Sequence, residues 1–125
     1  MTIIPRRLHI VFDLLYIIFL LGYPLLFVRN IGPGSLVLLV SGTTVLCYSL
    51  MTKYEFGIFK LINMKVHLTI DFILGLALAS SPWVLDFGKK LMWPHIAIGI
   101  LMMLTAIFSS NKPINIPEQE KTFTF

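Results

Sequence analysis

Charge is scarce in this sequence. Only 13 % of its 125 residues are Asp, Glu, Lys or Arg, where soluble domains carry about 25 %. Apolar residues make up 57 %, and a water-soluble fold of this length could not hide so much apolar surface from solvent. The composition therefore excludes an ordinary soluble domain and predicts a protein that has the lipid bilayer as its main partner.

The residues of several common chemistries are missing as well. The single cysteine, Cys47, lies in an apolar run, so the chain has neither an intrachain disulfide nor a Cys/His spacing typical of zinc. Phosphate-binding loops and hydrolase motifs are absent, as is a basic patch interleaved with aromatic residues that would bind nucleic acid. We therefore expect no enzyme activity, no cofactor and no nucleic-acid partner, and we attribute the net charge of +4 to Lys and Arg that face lipid headgroups.

Four apolar runs are present, each close to the length of about 20 residues that spans a bilayer. They cover residues 8–28, 35–51, 66–87 and 91–108. The links RNIGPG and DFGKK are short, so each pair of runs should form an antiparallel helical hairpin. The sequence thus predicts an all-α polytopic membrane protein with four transmembrane helices, arranged as two tandem helical hairpins.

We expect the whole chain, residues 1–125, to form a single membrane domain. It divides into repeat units at 8–51 and 66–109, an interfacial linker at 52–65 and a polar, loosely ordered tail at 110–125. The linker has aromatic and aliphatic residues near helical spacing with lysines around them. A short amphipathic segment in the headgroup region and an ordinary loop both fit this pattern.

The distribution of positive charge predicts the orientation. With four spans, the N-terminus, the linker and the tail share one side of the membrane. That side carries seven of the ten Lys and Arg residues, and the links within the hairpins carry three. Because positive charge accumulates on the cytoplasmic side, we expect a multi-pass protein of the inner (cytoplasmic) membrane with both termini in the cytoplasm.

An internal repeat connects the two halves of the chain. A shift of 58 residues places LHIVFDLLYIIFLLGYPLLF over VHLTIDFILGLALASSPWVL, and four positions are then identical. Three of the four are His, Asp and Pro, which are scarce in membrane spans. Each unit has two spans, so both insert the same way up. The identical pairs are His9 and His67, Asp13 and Asp71, Leu20 and Leu78, and Pro24 and Pro82.

The repeated His and Asp residues are the candidate functional site. Positions four apart share a helix face, so His9 with Asp13 and His67 with Asp71 form two polar stripes. A carboxylate that faces lipid costs about 2.5–3.5 kcal/mol, so we expect the stripes to meet in one intramembrane cluster. An interhelical clamp, a proton or cation relay and a metal site all remain open as roles. We favour the clamp and assign no metal.

Other residues of the second unit suggest packing and interface roles. Gly75 and Ala79 form a small-xxx-small pair, which fits close helix packing in the bundle or in a homodimer. Trp93 and His95 lie at the start of the fourth run, on the side opposite the polar cluster. We expect both at the membrane interface, with Trp93 in an aromatic belt.

The second unit resembles the SPW-repeat family of small bacterial and archaeal membrane proteins. The resemblance is carried by Ser81-Pro82-Trp83 in the first helix of a two-helix unit, whereas the first unit has GYPL at this point. It implies tandem two-helix repeats in a membrane and no agreed activity. We expect the tripeptide to end its helix, with Ser80 or Ser81 bonding the carbonyl that proline frees. Other matching positions are His67, Asp71, Gly75, Trp93, His95 and Gly99.

These observations predict a small integral membrane protein with a non-enzymatic role in structure, assembly or interaction with a partner. A second copy of the chain or another membrane protein is the candidate partner. The alternative function is an oligomeric conductor of protons or small cations that uses the His/Asp cluster.

Overall fold

The computed structural model describes residues 3–54 and 57–110 of the chain. Within these residues the chain forms α-helices and no strand, which confirms the predicted all-α fold. The helices are α1 (Arg6–Phe27), α2 (Pro33–Leu50), α3 (Met64–Val84) and α4 (Met92–Phe108), and a 3-10 turn, Lys89–Leu91, precedes α4.

The helix boundaries lie within three residues of the predicted ones, and the starts of α2 and α3 have a local cause. Pro33 begins α2, where its missing amide is not needed. The side chain of Asn63 caps α3 by accepting a hydrogen bond from the amide of Val66 at 2.9 Å. The largest difference is the end of α3, at Val84 instead of residue 87.

Three of the helices are long and apolar enough to cross a membrane. The mean hydropathy is 2.3 for α1, 1.5 for α2 and 1.3 for α3. Helix α4 is shorter, with 17 residues, and at 1.5 Å per residue it extends about 25 Å against a hydrocarbon thickness of about 30 Å. The protein is therefore a helical membrane protein whose fourth helix is its shortest.

The four helices form a bundle in which neighbours in sequence are neighbours in space. Helix α1 packs on α2, α2 on α3, and α3 on α4, while α1 also contacts α4. Helices α1 and α3 consequently face each other across the diagonal of the bundle. The apolar core between the helices contains Tyr16, Leu20, Leu38, Val45, Leu78 and Met102.

Two short bridges tie the repeats together at one end of the bundle. Ile4 pairs with Ser109, and Thr52 pairs with Ile62. The bridges are copies of each other, because Ile4 and Ile62 are 58 residues apart and Thr52 and Ser109 are 57 apart. Each bridge joins the segment before one hairpin to the segment after the other. The N-terminal segment, the linker and the end of α4 therefore lie at the same end.

The linker folds back over the end of α2. In its described part, residues 52–54 and 57–63, it forms bends, irregular backbone and the bridge between Thr52 and Ile62, with no helix, as in an ordinary loop. Tyr54 is carried into the bundle and is fully buried. Gly57 makes this path feasible, because a Cβ at that position would lie 1.7 Å from the carbonyl oxygen of Thr52. The predicted tail beyond Ser110 lies outside the described residues.

Candidate functional site

The structure brings together the four polar side chains that the repeat indicated. His9 and Asp13 come from α1, and His67 and Asp71 come from α3. All four are fully buried, with 0 % of each residue exposed. One nitrogen or oxygen of each lies within 4.8 Å of the corresponding atoms of the other three. We call these four residues the His/Asp cluster.

The closest contacts in the cluster run between the repeats. His9 Nε2 lies 3.0 Å from Asp71 Oδ2, and His67 Nε2 lies 3.0 Å from Asp13 Oδ2. The contacts along each helix, between residues four apart, are longer at 3.3 Å. The two imidazole rings meet edge to face with their centroids 5.4 Å apart. Each histidine therefore reaches most closely to the carboxylate of the opposite helix.

The other nitrogen of each ring is held by a hydroxyl group. His9 Nδ1 lies 2.7 Å from Ser109 Oγ, and His67 Nδ1 lies 2.7 Å from Thr52 Oγ1. Both hydroxyls donate their proton to the backbone carbonyl four residues earlier. Because a hydroxyl has only one proton, each must accept from the ring. Both histidines therefore carry a proton on Nδ1 and direct Nε2 toward the carboxylates.

Two tyrosines hold the carboxylates. The Tyr48 hydroxyl donates to Asp71 Oδ1, and the Tyr54 hydroxyl donates to Asp13 Oδ2 at 2.8 Å. Burial and the charge of Asp13 raise the pKa of Tyr54, which lies in the linker, so its hydroxyl keeps its proton. The two tyrosines are not repeat copies of each other, since a shift of 58 residues from Tyr48 leads to Ala106.

Some cluster atoms are close to a partner without being hydrogen-bonded to it. His67 Nε2 and Asp13 Oδ1 are buried and make no hydrogen bond. Of the four histidine–carboxylate contacts, the one between His9 and Asp71 has hydrogen-bond geometry. The other three are short contacts between an imidazole nitrogen and a carboxylate oxygen without that geometry.

The small residues of α3 pack against α4 within the same chain. A Cβ on Gly99 would lie 2.5 Å from the carbonyl oxygen of Gly75 and 2.6 Å from the amide nitrogen of Ala79. These separations are too short for any side chain at position 99. The backbones of α3 and α4 are therefore in direct contact where they cross.

Trp93 and His95 lie at the other end of the bundle and do not join the cluster. His95 is buried: its Nε2 lies 3.0 Å from the carbonyl oxygen of Gly34, and its ring centroid lies 4.5 Å from that of Phe87. Trp93 is 55 % exposed and packs edge to face on Tyr23 at 5.5 Å. His95 thus joins the start of α4 to the start of α2, and Trp93 joins it to α1.

The Ser-Pro-Trp tripeptide forms the last turn of α3. Pro82 has no amide to donate to the carbonyl of Leu78, and the Ser81 hydroxyl donates to that oxygen instead, at 2.7 Å. The helix ends two residues later at Val84, and Trp83 is 64 % exposed. The serine thus replaces a lost backbone bond.

The comparison with known families agrees with this arrangement. Residues 7–109, which include both hairpins, match the SPW repeat domain. The chain belongs to the SPW repeat family. The resemblance noted for the second unit therefore extends over the first, although the SPW tripeptide is replaced there by Tyr23-Pro24-Leu25. No curated protein and no solved structure matches the chain, so membership of the SPW family identifies a small membrane protein and assigns no activity.

Sequence reasoning missed the residues that surround the cluster. Thr52 and Ser109 could have been found, because each follows the second helix of its unit and their spacing is within one residue of the repeat. Tyr48 and Tyr54 occupy positions that the repeat does not pair with each other. Their role depends on the path of the linker and on the diagonal arrangement of α1 and α3.

Proposed function

We propose that this SPW repeat protein is a non-enzymatic structural component of a membrane. In this role the His/Asp cluster locks the two hairpins into one rigid bundle, which docks against a second copy or another membrane protein. The observation that carries the proposal is that the closest contacts in the cluster join residues of different hairpins. They join His9 to Asp71 and His67 to Asp13 at 3.0 Å, across the boundary between the repeats.

The electrostatics of a membrane interior explain why such a lock is effective. Breaking a buried ion pair by removing one partner destabilises a protein by about 3–5 kcal/mol. When both imidazoles carry a second proton, the two histidines and the two carboxylates sum to no net charge. The closest histidine to each carboxylate belongs to the other hairpin, so each hairpin depends on the other to keep its carboxylate out of lipid.

The burial of the cluster favours a structural role over conduction. A conductor must exchange its ions with water, whereas each of the four side chains is 0 % exposed. Tyr48 and Tyr54 additionally engage the carboxylates from the side of α2 and the linker. These contacts stabilise one closed arrangement.

We further propose that both termini lie in the cytoplasm and that the membrane is the inner one. The excess of positive charge on the N-terminal segment and the linker supports this orientation, as does the position of both segments at one end of the bundle. A C-terminal fluorescent protein that matures only in the cytoplasm should be bright. Activity of a C-terminal alkaline phosphatase, which folds in the periplasm, would contradict the orientation.

The structural role predicts a large effect of removing both charges. The double variant Asp13→Asn with Asp71→Asn should lower the free energy of unfolding by about 3 kcal/mol or more, because both histidines lose their carboxylates. Thermal unfolding in detergent, followed by circular dichroism, measures this loss, and size-exclusion chromatography measures any loss of oligomer. Asp86→Asn is the matched control, since Asp86 is exposed between α3 and α4.

Two outcomes would contradict the proposal. A double variant with unchanged unfolding, but without a pH-dependent proton flux that the wild type shows in vesicles, would favour conduction. A double variant that matches the wild type in stability, oligomer content and flux would remove both roles of the cluster.

A further inference from the structure

We infer that the His/Asp cluster is a binding site for one divalent transition-metal ion, with Zn²⁺ as the best match. The ligands are Nε2 of His9, Nε2 of His67 and one carboxylate each from Asp13 and Asp71. This inference rests on the proposed structural role and deepens it, because the ion would join the same four side chains across the two repeats.

The spacing of the ligand atoms is close enough for all four side chains to reach one ion. Zinc lies about 2.0–2.2 Å from its nitrogen and oxygen ligands, which places neighbouring ligands of a tetrahedron about 3.3–3.6 Å apart. The four nitrogen–oxygen contacts in the cluster are 3.0, 3.0, 3.3 and 3.3 Å, and Asp13 meets His9 through Oδ1 and His67 through Oδ2. One ligand atom of each residue lies within 4.8 Å of those of the other three, so side-chain rotations that shorten the longest separations place four ligands around one ion.

The hydroxyl groups that bind the histidines and carboxylates on the side away from the ion position are those that a metal site requires. Metal-binding histidines usually donate their second nitrogen to an oxygen, which fixes the tautomer and directs the lone pair at the metal. Ser109 and Thr52 accept from Nδ1 of His9 and His67 in this way. The two carboxylates are oriented by the hydroxyls of Tyr48 and Tyr54. All four ligands are thus held from outside the cluster.

Two atoms that lack hydrogen bonds point to the same conclusion. Asp13 Oδ1 and His67 Nε2 are fully buried and make no hydrogen bond, and such atoms are rare in folded proteins. Asp13 Oδ1 lies 3.3 Å from His9 Nε2, and His67 Nε2 lies 3.0 Å from Asp13 Oδ2, so both atoms lie inside the cluster. A metal ion at the centre would engage both.

The charge and the donor types define the class of ion. Two neutral imidazoles and two carboxylates have a charge of −2, which one divalent cation neutralises without net charge in the membrane. Imidazole donors favour transition metals, and a tetrahedral set of nitrogen and oxygen fits zinc. Magnesium and calcium prefer six or more oxygen ligands. In the metal-free protein two additional protons, one on each imidazole, supply the charge of +2 that the ion would supply. The cluster is then also neutral without metal.

The test measures zinc binding by the purified full chain in detergent. The protein is treated with a chelator, dialysed against Zn²⁺ and analysed by mass spectrometry of the element. We expect one zinc per wild-type chain, and loading with Co²⁺ should give the intense visible absorption of a tetrahedral site. His67→Gln should abolish binding, and Asp86→Asn, an exposed carboxylate outside the cluster, should retain it.

Variants of the residues that hydrogen-bond to the histidine ligands provide a second test, in which every ligand is kept. Thr52→Val and Ser109→Ala each delete one acceptor for Nδ1. Each should weaken zinc binding about 10–100-fold. The two losses should be similar, because the two hydroxyls hold their histidines at the same distance of 2.7 Å.

The outcomes separate this inference from the structural proposal. Folded wild-type protein that retains no stoichiometric zinc overturns the metal site, and it leaves the structural role intact if Asp13→Asn with Asp71→Asn still unfolds more readily. Equal binding by wild type and His67→Gln also overturns it, since the ion would then lie elsewhere. If the double variant is as stable as the chelator-treated wild type, the structural role fails while the zinc stoichiometry still decides the metal site.

Discussion

The two hairpins share their charged chemistry but differ in how their helices pack. Around the cluster, each contact of His9 has a counterpart of equal length at His67, at 3.0, 3.3 and 2.7 Å. The helix crossings are different. Glycines face each other between α3 and α4, whereas Ile17 occupies the position equivalent to Gly75 in α1.

This difference shows which parts of a duplicated membrane hairpin can change independently. The distance between two packed helices varies with the side chains at their contact, so Ile17 in place of glycine changes the spacing of an apolar crossing and leaves no charge without a partner. Removing one member of a buried ion pair costs about 3–5 kcal/mol, since its partner remains charged and buried. The crossings have therefore diverged while the polar contacts have stayed alike.

The largest expected contrast lies at the crossings themselves. In Gly99→Ala the new Cβ would meet backbone atoms of Gly75 and Ala79 at 2.5–2.6 Å, and the helices must move apart. In Gly42→Ala it would meet Leu20 Cβ and the end of the Leu21 side chain at 2.9 Å, which is a smaller overlap, and the Leu21 side chain can rotate away. We expect a loss of unfolding free energy of about 2–3 kcal/mol for Gly99→Ala and about 1 kcal/mol for Gly42→Ala.

Equilibrium unfolding of both glycine variants in the same detergent measures this contrast. Retention of the helical circular dichroism signal before unfolding serves as the control for folding. Equal losses in the two variants would mean that the first crossing is as tight as the second, and the comparison of the hairpins would fail at this point.

A smaller contrast concerns the proline turns. The Ser81 hydroxyl donates to the carbonyl of Leu78, which has no backbone donor because residue 82 is proline. The Ser80 hydroxyl donates to the carbonyl of Leu76, whose partner in the helix, the amide of Ser80, is present. Ser81→Ala should therefore lower the unfolding free energy by about 1 kcal/mol, and Ser80→Ala should lower it by less than about 0.5 kcal/mol. Thermal unfolding of both variants measures the difference. An equal effect would show that the serine next to proline has no special role in the second hairpin.

Much of the fold follows from patterns that the sequence carries openly. The helices lie within three residues of the apolar runs because lipid selects long apolar segments, and turn residues separate them. The four cluster residues could be selected because ionisable side chains are rare in membrane spans and because the repeat presents them twice. The sequence also predicts that Ser80 or Ser81 replaces the backbone bond lost at Pro82, and in the structure Ser81 does so.

The pairing inside the cluster could not be predicted in the same way. Spacing along a helix pairs His9 with Asp13, yet the closest partner of His9 is Asp71 on the opposite helix. Tyr54 reaches Asp13 only because the linker folds back over α2, which no periodicity in the linker indicates. These contacts depend on how the helices are arranged around each other.

By itself the sequence determined that the chain lies in lipid, how many helices it has, that its hairpin is duplicated, and which four His and Asp residues must be shielded from lipid. Hydropathy and repetition are properties of the linear chain. Only the tertiary structure decided which histidine lies closest to which carboxylate, which hydroxyls hold them, and how the linker brings Tyr54 to the cluster. Those choices depend on distances of a few ångströms between segments far apart in the chain, and such distances exist only once the hairpins pack together.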